Sequence, residues 1–156
     1  MIPIQHIHPM VVHFPIVFIF ALAIFDLVAT LRGASVTGRT TAGNISTGLA
    51  VLAAVFAVAA YIFGGMALTY AESGGFSSDV AEIHEGLGEM VAVALSVWAA
   101  IRAGLWWRNT QVRGAASFAF PIAAVAGAGL VVATAYYGGM LVFELGVNVV
   151  KVAAAG

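Results

Sequence analysis

Four apolar stretches, at about 9–31, 44–70, 83–107 and 117–145, decide what this chain can fold into. Each reaches the roughly 20 residues that a helix needs to cross a hydrocarbon core of about 30 Å. A soluble domain has nowhere to put them. The chain is 62% hydrophobic and only 8% charged over 156 residues, more apolar surface than a water-facing fold of this size can bury. The short polar connections leave room for no second unit. The expected architecture is one integral membrane domain over 1–156, an all-α membrane protein built as a four-transmembrane-helix bundle.

The rare charges orient that bundle. Arg32 and Arg39 lie in the first connection, and Arg102, Arg108 and Arg113 occupy or flank the end of the third stretch. The connection from Glu72 to Glu82 carries acids and no base. Basic loops stay on the cytoplasmic side, so connections one and three are expected inside, with both termini and connection two outside. Lys151 in the tail is the one dissenting charge. In a bacterium this topology means the inner membrane, with both termini periplasmic. Asn44-Ile45-Ser46 has the form of a glycosylation acceptor but falls on the cytoplasmic side, where it carries no meaning. The first apolar stretch is longer than the core of a cleavable signal, and no base precedes it.

An internal repeat supports the same layout. A shift of 76 places Ile7-His8 on Ile83-His84, His13 on Glu89, Asp26 on Arg102 and Arg32 on Arg108. A shift of 74 places Arg39 on Arg113 and Gly64-Gly65-Met66 on Gly138-Gly139-Met140. The pattern predicts two helical hairpins in one orientation, related by a pseudo-twofold axis along the membrane normal. Asp26 and Arg102 then share a depth, and an ion pair between them is the economical way to hold two charges inside a bilayer. Pro9 suits a first helical turn with His8 at the cap. Pro15 predicts a kink, and Asp79 with Glu82 resembles a capping box for the third helix.

All four histidines fall on the outer side of this topology. Imidazole is the commonest protein metal ligand, so grouped histidines at a bilayer surface point to a metal or cofactor. His6 belongs to the tail and reads as solvated. His8 lies at the boundary. His13 is one turn inside, where a polar ring is expected to face the bundle, and His84 heads the third helix with Gly86 and Gly88 after it. The chain has no Cys, which excludes disulfides, thiolate metal sites, iron–sulfur ligation and c-type haem attachment. Two chemistries fit the remaining ligands. One is a b-type haem between His13 and His84, with His8 as substitute because it is the repeat partner of His84. The other is a divalent cation, Zn²⁺ being the simplest, held by His8, His13, His84 and Glu89.

Ile7-His8-Pro9-Met10-Val11-Val12-His13-Phe14-Pro15 resembles the opening signature of the DUF2231 family of small bacterial membrane proteins. The third helix from His84 and the stretch Gly138–Val147 resemble the same family. The resemblance implies a four-helix membrane fold and no established reaction. The family pattern often carries a histidine where this chain has Leu145, so the resemblance implies no second bis-histidine site here.

Other polar residues have plainer roles. Glu144 reads as a solvated carboxylate. Trp98, Trp106 and Trp107, with Tyr61, Tyr70, Tyr136 and Tyr137, include candidate interface anchors, and the glycine pairs serve close helix packing. No nucleophile triad, phosphate loop or dinucleotide fingerprint is present, so an independent enzyme is not expected. Four short helices offer no polar lane for transport, and a net charge of −1 gives no reason to expect nucleic acid. The leading functional expectation is an electron-transfer subunit binding haem b near the periplasmic face, in contact with lipid and with a quinone or a redox subunit. The alternatives are a divalent-metal protein or a cofactor-free accessory subunit of a larger membrane complex.

Overall fold

The computed structural model describes residues 3–149. They form α1 (Ile4–Val11), α2 (His13–Leu31), α3 (Thr41–Ser73), α4 (Asp79–Trp107), a 3₁₀ turn (Gly114–Phe118) and α5 (Ala119–Phe143). Four helical segments are long and apolar enough to cross a membrane, the first being α1 and α2 taken together. The described residues contain no strand. The molecule is a four-helix membrane bundle.

Burial is inverted relative to a soluble protein. Val17, Ile24 and Leu31 on α2 are 61%, 64% and 66% exposed, whereas Asp26 on the same helix is fully buried. Lipid takes the aliphatic faces, and the polar groups turn inward because hydrocarbon cannot satisfy them. α2 packs against α3 and α5, and α4 packs against the same two helices. α2 and α4 are therefore diagonal, as are α3 and α5. Buried alanines along α3 (Ala50, Ala53, Ala57 and Ala60) and α5 (Ala124 and Ala128) let the helices approach closely. The diagonal helices meet through side chains alone: Pro15, Ile19, Leu22 and Asp26 are buried from α2, and Val91, Leu95 and Arg102 from α4.

The Asp26–Arg102 ion pair predicted from sequence forms across this diagonal. Arg102 Nη1 donates to Asp26 Oδ2 at 2.7 Å and Nη2 to Oδ1 at 3.3 Å. Ser46 on α3 donates to the carboxylate and accepts from Nη2, which also donates to the Val36 carbonyl at 3.1 Å. The guanidinium carbon lies 5.5 Å from the Trp98 ring centre and 5.2 Å from that of Phe120. Trp98 thus packs on the buried cation and is not an interface anchor. Charge partner, hydrogen bonds to both terminal nitrogens and aromatic faces offset much of the hydration that a buried guanidinium gives up, while Arg102 Nε has no partner among the described residues.

Connections one and three clasp each other below this pair. Ser35, Val36 and Thr37 are buried although they lie outside any helix. Thr37 Oγ1 accepts from Val112 N at 2.8 Å, and Ser35 Oγ donates to Val112 O at 3.1 Å. Asn109 Oδ1 accepts from Arg39 N at 2.8 Å, while Arg39 reaches the Trp107 carbonyl at 2.9 Å. Arg32, Arg39, Arg108 and Arg113 are exposed around the clasp.

Several helix ends differ from the sequence reading. The first helix begins at Ile4, so Pro9 lies inside α1 and His8 is not its cap. The helix is disturbed at Val12, three residues before Pro15. Proline there has no N–H for the Val11 carbonyl, and its ring crowds that carbonyl; Val12 nevertheless keeps helical dihedrals and bonds back to the His8 carbonyl, so the helix runs on with a local disturbance of the kind expected. The cap of α4 is Ser78, which accepts from Val80 N, with Asp79 and Glu82 inside the first turn. Lys151 lies outside the described residues.

Candidate cofactor site

α1 carries the first ligand candidate. α1 lies along α3 and touches α2, and it meets α4 through the His8 side chain. This places His8 against the second half of α3, where its Nδ1 is 2.9 Å from the Ala60 carbonyl oxygen. His84, in the second turn of α4, has its Nδ1 2.9 Å from the Thr134 carbonyl on α5. A carbonyl only accepts, so Nδ1 carries the proton in both rings and Nε2 presents its lone pair. Neither Nε2 has a hydrogen-bond partner among the described residues.

The two imidazoles face each other across the bundle. Their centroids are 6.1 Å apart and their planes are inclined at 79°. Both rings are partly buried. The contacts obey the repeat throughout: a shift of 76 carries His8 to His84, and a shift of 74 carries its acceptor Ala60 to Thr134. The same 74 carries Gly64 to Gly138, and each glycine makes room for one ring. A Cβ on Gly64 would sit 3.1 Å from His8 Cε1, and one on Gly138 would sit 2.9 Å from His84 Cε1. The axis that joins Asp26 to Arg102 at one end of the bundle therefore joins His8 to His84 at the other.

The remaining sequence candidates are not brought to this pair. His13 is exposed at the start of α2. At about 100° per residue it lies nearly opposite Pro15, which is buried, so the expectation that its ring faces the bundle is overturned. Glu89 stands in the same relation to buried Val91 and is likewise exposed. The four-residue set of His8, His13, His84 and Glu89 is therefore not assembled, and no cluster of three or more candidate metal ligands occurs among the described residues. His6 lies within α1 and is exposed, and Glu144 is exposed at the end of α5.

The sequence reading gave the glycine pairs to helix packing and did not connect Gly64 or Gly138 with the rings. The signal was present in the repeat, since the residues matching at 74 include those that contact the residues matching at 76. Ser46 and the Val36 carbonyl were also missed as partners of Arg102.

No curated protein and no solved structure matches the chain significantly. A family model described as "Predicted membrane protein (DUF2231)" matches residues 5–151, almost the whole length, and the chain accordingly belongs to the DUF2231 family.

Proposed function

We propose that this protein is an electron-transfer subunit of the membrane that holds b-type haem between His8 and His84. The observation that carries the reading is the meeting of two imidazoles on the bundle axis, each with its Nδ1–H fixed by a carbonyl. That outer hydrogen bond is the usual companion of a metal-ligating histidine, because it sets the tautomer and aims the ring. The 6.1 Å ring spacing suits one metal centre between two Nε2 atoms at about 2.0–2.1 Å each. Two imidazoles complete the protein's share of a bis-histidine haem, whose macrocycle brings the other four nitrogens. Zinc sites draw three or four ligands from the protein, so the pair favours haem over zinc.

The haem iron supplies one-electron chemistry, and the chain sets its potential. Imidazole ligation, the Nδ1–H bonds to the Ala60 and Thr134 carbonyls and partial burial of the rings are the levers available. By the distribution of arginines, the histidine end faces the periplasm of a bacterial inner membrane, where a quinone or a redox subunit exchanges electrons with the haem.

The test is a reduced-minus-oxidised visible spectrum, with elemental analysis, on protein purified in mild detergent. A low-spin haem spectrum is expected, lost in His8→Ala and in His84→Ala and retained in His13→Ala. Zinc or copper without haem would replace haem by a divalent ion at the same pair. Protein that carries neither, and that takes up no added haem, would favour a cofactor-free accessory subunit.

A further inference from the structure

The repeat pairs Arg39 with Arg113, yet the structure uses the two differently. Arg39 is committed to the clasp: its guanidinium donates to the Trp107 carbonyl and lies 5.3 Å from the Trp106 ring centre. Arg113 donates to the Gln111 side chain two residues away and has no acid partner among the described residues. It lines instead a groove of about 470 Å³ between the end of α2, the start of α3 and connection three.

The groove has two ends of unlike chemistry. Phe25 stands six residues before the last residue of α2, roughly 9 Å into the bundle at about 1.5 Å per residue. Ile45, 46% exposed, turns toward the hydrocarbon, and Ala34 and Ala42 complete the apolar wall. Arg113 and Thr41 line the end at the surface. No carboxylate lines the groove, and Arg32, Arg39 and Arg108 are exposed at the same end of the bundle. An ammonium group would meet only repulsion there, whereas a phosphate finds a guanidinium and a hydroxyl to receive it. A free anion would leave the apolar wall uncovered, so the occupant that matches both ends is an amphiphile.

We propose that this groove binds an anionic phospholipid of the surrounding leaflet, one whose headgroup has no ammonium to cancel its phosphate. The phosphate rests on Arg113 and the Thr41 hydroxyl, and the first part of an acyl chain lies along Phe25 and Ile45. Bound in this way, the lipid joins connection three to the start of α3 beside the clasp.

The test titrates phosphatidylglycerol or phosphatidylcholine with identical acyl chains into the full-length protein in mild detergent and reads bound lipid by native mass spectrometry. Phosphatidylglycerol is expected to bind about fivefold more tightly or better, the effect of one basic side chain on an anionic headgroup. Arg113→Gln should remove that preference. Arg32→Gln, exposed at the same end but outside the groove, should keep it. Ala34→Phe fills the groove from an exposed position and should weaken phosphatidylglycerol binding although Arg113 is intact. The proposal is overturned if the two lipids bind alike, if Arg32→Gln loses the preference as fully as Arg113→Gln does, or if Ala34→Phe binds lipid like the parent. It is equally overturned if soluble glycerol phosphate displaces the lipid at equal concentration, which would make the site one for a free anion. None of these readouts depends on haem.

Discussion

Each imidazole lies against a glycine, and neither position leaves ordinary contact distance for a methyl group. A methyl on Gly138 would approach His84 Cε1 to 2.9 Å, inside any normal carbon contact, while the ring is tied in place by its bond to the Thr134 carbonyl. Gly138→Ala should therefore displace the ring and cost about 1–3 kcal/mol of overpacking. Gly139→Ala meets nothing within 4 Å and should gain the roughly 1 kcal/mol by which alanine exceeds glycine in a helix. Thermal melting of both variants in one detergent checks the contrast, and equal shifts would contradict it. At the other end of the axis, removing Asp26 or Arg102 alone should cost about 3–5 kcal/mol, because the partner is left buried and uncompensated. Asp26→Leu/Arg102→Leu should cost less than the sum of the singles, and a double-mutant cycle without coupling would refute the pairing. This ion pair was legible in the sequence, since two rare charges at matching repeat positions have few other partners inside a bilayer. The glycine cradle was legible only in part: the repeat matches Gly64 to Gly138 as it matches His8 to His84, but whether a ring meets a glycine depends on how neighbouring helices cross, which spacing does not give.

Among the helices, the first matters most for the site, because α1 lies along α3 and there His8 meets the Ala60 carbonyl. Pro15→Ala restores the missing donor and relieves a defect worth about 3 kcal/mol in a helix interior. The variant should melt no lower than the parent, because Ile19, Leu22 and the core below are untouched. If the proline sets the course of α1, the variant should lose bound haem. Retention of an unchanged haem spectrum would show that Pro15 does not aim His8. Apolar length located the four crossings well and matched the ends at Leu31 and Trp107, but it stopped α3 short at both ends, began the first and third crossings too late and carried the fourth two residues beyond Phe143. A hydropathy window reports only hydrocarbon, whereas helices continue through the interfacial layer, as α3 does to Ser73 and the first helix does from Ile4. The orientation of His13 was legible and was misread. Its offset from Pro15 on a 3.6-residue helix already turns it away from the residues that must face the axis.

Taken as one body, the bundle is a charge dipole. Arg32, Arg39, Arg108 and Arg113 surround the clasp of connections one and three, while Glu72, Asp79, Glu82, Glu85, Glu89 and Glu144 lie toward the histidine end. The basic end should face the cytoplasm. Cysteines placed singly at Ser78 and Thr110 test this in intact cells with an impermeant reagent: labelling at Ser78 alone is expected, and labelling at Thr110 alone would invert the molecule. The repeat made this arrangement readable before any coordinates, because the two shifts of 76 and 74 carry each axial contact onto its equivalent. The haem reading rests on the histidine end of that axis, where the imidazole planes cross at 79°. Ligand planes so nearly perpendicular leave two iron orbitals almost degenerate, which makes a low-spin ferric centre strongly anisotropic in electron paramagnetic resonance. The decisive measurement is that spectrum on oxidised, purified protein. A low-spin ferric signal of large anisotropy, abolished by His8→Ala and unchanged by His13→Ala, is expected; no ferric haem signal, or one that survives His8→Ala and disappears in His13→Ala, would contradict ligation by His8 and His84.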